Sequence, residues 1–196
     1  MKYPNFKEEN RLWKKGFKVV GIDEAGRGPL AGPVVACAFC FDKKVSLKGI
    51  NDSKKLSFKQ REEVYNRLKN NPNVRWGIGR VSEKVIDKIN ILEATKLAMK
   101  RAMKNLDADF LIIDGNFSIK SNVPQKSIIK ADEKVYSCSA ASIIAKVVRD
   151  RMMIRYHKKY PDYGFDKHKG YGTKLHRDSI KRKGFCDIHR KSFNVA

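Results

Sequence analysis

Asp23 and Glu24 stand side by side in the stretch GIDEAGRGPLAGPVV (residues 21–35), where a short apolar run meets a glycine-arginine-glycine turn. Two more acids close apolar runs further on, Asp114 in ADFLIIDG and Asp132 in KSIIKAD. Sites in α/β sheets gather at strand ends. Four carboxylates brought together there repel one another unless cations lie between them. Hard oxygen donors of this kind suit Mg²⁺ or Mn²⁺. Two such ions, roughly 3.5–4 Å apart, can hold the attacking water and the leaving oxygen of a phosphodiester. That chemistry wants three or four carboxylates, and these are the candidates. Any one of them alone could be a turn former, as Asp114-Gly115 illustrates. Residues 23 and 24 also alternate faces in a regular strand. Both reach one site only if the strand ends or bulges, a break that Ala25-Gly26 could supply.

The turn GRGPLA (residues 26–31) has the spacing G-x-G-x-x-[GA] of a dinucleotide-binding loop. That motif needs a helix next, whereas Pro29 leads into the strand-like GPVVACAFCF. A pyrophosphate would also sit beside two acids. The better reading is a turn whose bare backbone approaches a nucleic-acid strand, with Arg27 adding a phosphate contact.

Lys and Arg number 43 against 21 Asp and Glu, a formal charge of +22 over 196 residues. Glutamates do not rise with the lysines, as they do on thermophilic surfaces, so a polyanionic partner is favoured. No apolar run approaches the roughly 20 residues of a spanning helix. The opening MKYPNFKEENRLWKKG lacks the apolar core of a signal peptide. A cytoplasmic protein without membrane contact is expected. Cys37 and Cys40 form a CxxC pair on an apolar strand, with Cys138 and Cys186 far away. A zinc ribbon wants a second close pair, so buried free thiols are expected instead.

These groups need elements to hold them. FKVVGID, GPVVACAFCF and VRWGIGRVS read as strands, followed by ADFLIIDG and the short KSIIKAD. Ser57 and Gln60 have capping-box spacing and open a helix to about Lys69. Ser82 caps a short helix through Lys88. Asn90 and Glu93 open another, to Leu106. SCSAASIIAKVVRDRMMIRYHKKY reads as one long helix with small residues on its first turns, and Thr173 caps a last helix to about Lys183. Strands followed by alternating helices and strands predict a mixed sheet with helices packed on it.

The motifs resemble those of bacterial ribonuclease HII. GIDEAGRGPLAGPVV is similar to that family's signature. NDSKKLS (51–57), LIIDG (111–115), SAASIIAKVVRD (139–150), HKGYGTKLH (168–176) and HRKSF (189–193) resemble it too, in the family's order, from about Val19 to Phe193. The resemblance implies an α/β, ribonuclease H-like fold: a mixed central sheet flanked by helices, with a helical C-terminal extension. It implies Mg²⁺- or Mn²⁺-dependent cleavage of the RNA strand of RNA–DNA hybrids. It extends to single ribonucleotides within duplex DNA, leaving a 3′-hydroxyl and a 5′-phosphate. By motif position, the metal-binding and catalytic carboxylates would be Asp23, Glu24, Asp114 and Asp132. Gly26, Arg27 and Gly28 would read the ribose 2′-hydroxyl through their backbone, and Tyr171 would stack at the ribo–deoxyribo junction. A 2′-hydroxyl is what separates RNA from DNA at one position.

Two positions depart from the pattern: Ala131 where glycine is frequent, and Ala25 where valine is also common. The related ribonuclease HIII carries an extra N-terminal domain, for which the short segment before the first strand leaves no room. Residues 1–158 are expected to form the catalytic core and 159–196 a substrate-binding extension packed on it. Lys54 and Lys146 flank motif residues and are expected to contact phosphates. Arg149, and His168, Lys169, Lys174, His176 and Arg177 around Tyr171, could do the same. No histidine stands out as a nucleophile or base. The partners implied are RNA–DNA hybrid and ribonucleotide-containing duplex DNA, met by a monomer. The rival from another class is a non-catalytic basic RNA-binding protein, which needs the charge and the aromatics but not four acids.

Overall fold

The computed structural model describes residues 3–41 and 49–195. β1 (Val19–Ala25) lies at the centre of a five-stranded sheet with β2 (Val34–Phe41), β3 (Val74–Val81), β4 (Phe110–Asp114) and β5 (Gln125–Ile128), in the order β3-β2-β1-β4-β5. β2 runs antiparallel to β1 and β3, while β4 runs parallel to its neighbours β1 and β5. The sheet is mixed, as expected. Every residue of β2 is buried, because helices cover both faces.

Alternation along β1 sends Val20 and Ile22 into the core beneath α3 (Glu83–Ala102). Gly21 faces the first turn of α4 (Tyr136–Lys159) on the other side, where a Cβ would fall 2.6 Å from the Cys138 nitrogen. The small residues opening α4 therefore meet a strand with no side chain at that point. α2 (Phe58–Lys69) packs beside α4, and its capping box forms as the spacing predicts, with the Ser57 and Gln60 side chains each reaching the other's backbone N–H.

α3 carries a kink at Asn90 (φ 64°), whose Oδ1 accepts from the N–H groups of Leu92 and Glu93 at 2.9 and 3.1 Å. Asn90 thus starts a new helical run, as its sequence position predicts, while Ser82 offers no side-chain cap to the run before it. No element is expected before β1, but α1 (Lys7–Trp13) forms there. Glu9 of α1 is fully buried, and its Oε1 accepts from the Ser137 N–H at 2.8 Å and the Ser137 hydroxyl at 2.9 Å. It satisfies an amide of the first turn of α4, whose own N-cap, Val135, has no side chain able to do so.

Beyond α4 the chain forms short turns, α5 (Phe165–His168) and α6 (Lys174–Lys183), the last capped by Thr173. Tyr163, Phe165, Ile180 and Ile188 from this region share a core with Met153 of α4 and with Leu30 and Ala31. Main-chain bonds strap the same segment down: Leu30 N–H to Gly170 C=O, Gly32 N–H to Ile188 C=O and Arg190 N–H to Leu30 C=O, each 2.8 Å. Cys37 and Cys40 are both buried thiols, outside any disulfide, in separate cores on opposite faces of the sheet. Among the described residues, no helix is long and apolar enough to cross a membrane.

Candidate active site

Parallel pairing of β1 with β4 puts their carboxyl ends together, with Ile22 beside Ile113. Asp23 and Asp114 follow these residues and come into contact range. Asp132 arrives by a different route from the one expected. β5 ends at Ile128, Lys130 turns the chain with φ 57°, and Asp132 sits in a one-turn 3₁₀ helix, Ala131–Glu133, rather than on the strand. The Ala131 N–H donates to Asp114 Oδ1 at 2.5 Å, tying that turn to the end of β4. One carboxylate oxygen from each of Asp23, Asp114 and Asp132 lies within 4.8 Å of the others.

Glu24 is not in that tight group, although it lines the same cleft. β1 stays in register with β2 through Ala25, so there is no bulge, and Asp23 and Glu24 leave by opposite faces. Asp23 meets Ser142 of α4. Glu24 Oε1 lies 3.5 Å from Arg27 Nη1, and its Oε2 is buried without a hydrogen-bond partner among the described residues.

The electrostatics are those of acids held together at a cost. Burial first, then the charges of Glu24 and Asp114, hold Asp23 well above the usual carboxylate range. Glu24 is pushed up to about 7 by burial, against the pull of Arg27. Asp114 is raised by burial and by Asp132, with the Ala131 N–H opposing. Lys54 Nζ reaches Asp132 Oδ2 at 2.9 Å. Burial disfavours the Lys54 charge, but this bond together with the charges of Asp132, Asp52 and Asp23 outweighs it and raises the group. Crowded, desolvated oxygen donors, one of them orphaned, fit a hard divalent cation such as Mg²⁺ or Mn²⁺.

The glycine turn forms the adjacent wall, with Gly26, Arg27 and Gly28 beside Tyr171 and Lys146. Tyr171 is 43% exposed. Lys146 Nζ sits 5.8 Å from the centre of its ring and donates to Asp150 at 2.8 Å; burial lowers its affinity for a proton. The other basic residues offered for phosphate contact divide. Lys174 is exposed. Arg149 is fully buried and bonds main-chain carbonyls, so it is not a phosphate contact. His176 is likewise buried. Its Nδ1 lies 3.0 Å from the Tyr171 carbonyl and its Nε2 lies 3.0 Å from His189 Nε2. His189 Nδ1 accepts from the Cys186 N–H at 2.9 Å, which places the His189 proton on Nε2 and makes His176 the donor to Tyr171. His168 bonds the Tyr163 carbonyl and the Gly170 N–H. Burial first, with His168 nearby, pushes His176 down to about 4, which keeps it neutral and able to accept from His189 Nε2–H at pH 7.

Arg190 and Ser142 were not singled out from sequence. Arg190 lies in a motif, HRKSF, but nothing in the chain distinguishes a buried arginine from a surface one in so basic a protein. Burial, and for Arg190 the neighbouring Arg149, push the two guanidinium groups down to about 10 (Arg149) and about 9 (Arg190). Both remain cations at pH 7.

A family model described as Ribonuclease HII matches residues 20–196. The chain is 52% identical over 188 residues to ribonuclease HII of Chlamydia caviae, covering 94% of this chain and 88% of that one. It is 53% identical over 188 residues to ribonuclease HII of Acetivibrio thermocellus, covering 94% and 73%. A chain of the PCNA:RNase HII complex from Archaeoglobus fulgidus superposes with TM-score 0.79 at 28% identity, covering 91% of this chain and 96% of that one. Ribonuclease H2 from Pyrococcus horikoshii gives 0.74 at 29%, covering 91% and 94%.

Proposed function

The chain belongs to the ribonuclease HII family, and from that premise we propose that it cuts duplex DNA immediately 5′ of single embedded ribonucleotides as well as RNA–DNA hybrids, for ribonucleotide removal. Membership makes it a metal-dependent endoribonuclease of RNA–DNA hybrids. The observation that carries the finer reading is the convergence of Asp23, Asp114 and Asp132 beside a bare glycine turn and an exposed tyrosine ring.

Asp23, Asp114 and Asp132, with Glu24 at the cleft wall, would hold Mg²⁺ or Mn²⁺. A pair of such ions supplies the water activation and charge neutralisation that phosphodiester hydrolysis needs, with a 3′-hydroxyl and a 5′-phosphate as products. The 3₁₀ turn fixes the Asp114 oxygen it bonds, so that group enters the site oriented. A Cβ on residue 28 would make one contact, with the Tyr171 ring at 3.9 Å, so the turn presents bare backbone to the cleft there. A ribose would pass over this bare turn, its 2′-oxygen against the backbone N–H groups of Arg27 and Gly28, with the next sugar against Tyr171. Lys54 and Lys146 lie where flanking phosphates would pass. Residues 159–196 act as the substrate-binding extension of the 1–158 core, and the protein works as a cytoplasmic monomer.

The test is a gel assay on a labelled DNA duplex carrying one ribonucleotide, with Mg²⁺, with Mn²⁺ and with EDTA. A single cut 5′ of the ribonucleotide, present only with metal, is expected. Cutting of a long hybrid alone would remove the junction reading and keep the carboxylate site. No cutting of either would leave a nucleic-acid-binding protein.

A further inference from the structure

Two fully buried arginines lie under the glycine turn, and their hydrogen-bond partners are main-chain carbonyls. Arg190 donates from Nε to Gly32 at 2.9 Å, from Nη1 to Arg27 at 2.8 Å and from Nη2 to Gly26 at 2.6 Å. Arg149 donates to Pro33 and Ala31 at 3.0 Å and to Lys169 at 2.9 Å. A buried cation must be compensated, and here the oxygens of the turn do it. The turn in return has no freedom to rotate its peptides.

The direction of those carbonyls matters. In a trans peptide the N–H points opposite to the C=O, and the chain has no cis peptide among the described residues. The Gly26 and Arg27 carbonyls point inward at Arg190. The N–H groups of Arg27 and Gly28 share those two peptide planes and so point outward, to the cleft wall beside Tyr171. Neither N–H donates to another group among the described residues. Gly26 has φ 99°, and a Cβ on it would collide with the Arg149 side chain, so the same packing explains why the turn opens with glycine.

We propose that Arg190 is the positioning residue for ribose recognition: its guanidinium sets two adjacent peptides so that both N–H donors face the 2′-oxygen of the substrate. This rests on the reading of Gly26 to Gly28 given above. A planar fork is needed to hold all three carbonyls in fixed directions; an ammonium is a flexible point charge and replaces it only in part.

Arg190→Gln and Arg190→Lys in the full chain test this, on two duplexes identical except for one ribonucleotide. Thermal melting first establishes the folded fraction. In Arg190→Gln, kcat/KM at the ribonucleotide should fall on the order of 100-fold, the scale of a reacting group misplaced by about 1 Å. Arg190→Lys should recover part of it. Affinity for the all-DNA duplex, which surface cations carry, should stay within about twofold of wild type. A folded Arg190→Gln with wild-type kcat/KM, or with equal losses on both duplexes, would overturn the proposal. If neither variant folds, amide NMR of the wild type decides. The Arg27 and Gly28 N–H signals must shift more with the ribonucleotide duplex than with the all-DNA one, and equal shifts would overturn it. A wild type that leaves the ribonucleotide duplex uncut removes the reading beneath; a cutting wild type with an indifferent Arg190→Gln removes only this inference.

Discussion

A methyl group at Gly28 would meet the Tyr171 ring at 3.9 Å and nothing nearer, whereas one at Gly26 would collide with Arg149 in a left-handed backbone. The two glycines of one turn therefore serve different ends. Gly26→Ala should cost stability, about 1–3 kcal/mol from backbone strain alone. Gly28→Ala should melt like wild type and yet lose on the order of tenfold or more in kcat/KM at a single ribonucleotide, because on the proposed reading the methyl would stand between the turn and the sugar. Melting curves and initial rates on the same preparations check both.

The carboxylates give a second contrast at this scale. Asp23, Glu24 and Asp114 are all raised in the folded chain, so without metal the native state holds protons that the unfolded state has released. Stability of the metal-free protein must then fall as pH rises above about 4, continuing through about 7, where Glu24 ionises. Asp114→Asn removes one of these charges. In EDTA its melting temperature should exceed that of wild type at pH 7–8 and approach it at pH 5. Added Mg²⁺ should stabilise wild type more at pH 8 than at pH 5 and leave Asp114→Asn nearly unmoved, with cleavage lost.

At the scale of elements, the site depends on where α4 begins. Its first turns press on Gly21, and Ser142 one turn later meets Asp23. That register is held from outside the helix by Glu9. Glu9→Ala leaves a buried amide without its acceptor and should cost about 1–3 kcal/mol, read as a lower urea midpoint at constant slope. Glu9→Gln retains an accepting oxygen and should lose less. Helix starts marked by their own side chains, Ser57, Asn90 and Thr173, were legible in the sequence because a cap is a contact over three residues. The start of α4 was not marked that way, because its acceptor lies 128 residues away along the chain.

For the whole molecule, the net charge is +22, while three acids converge at the cleft floor. Counterion release then makes substrate binding steeply dependent on salt. If the extension and the cleft rim make about six phosphate contacts, affinity for any duplex should drop on the order of 1,000-fold between 50 and 200 mM salt. Anisotropy titrations on all-DNA and ribonucleotide duplexes should show parallel slopes, since the 2′-hydroxyl carries no charge.

The chain alone determined the strands, the capped helices, the mixed sheet and the family, because apolar period, capping spacing and motif order are written in consecutive residues. It also named the three acids that converge. Tertiary structure decided what depends on direction and distance. Asp23 and Glu24 leave opposite faces of an unbulged strand, so three carboxylates cluster and the fourth stands at the wall. Asp132 comes from a 3₁₀ turn rather than a strand end. Arg149 and His176 look like surface cations in a basic sequence, yet both are buried against backbone carbonyls. Burial is a property of what packs on a residue from elsewhere in the chain, and no local pattern records it.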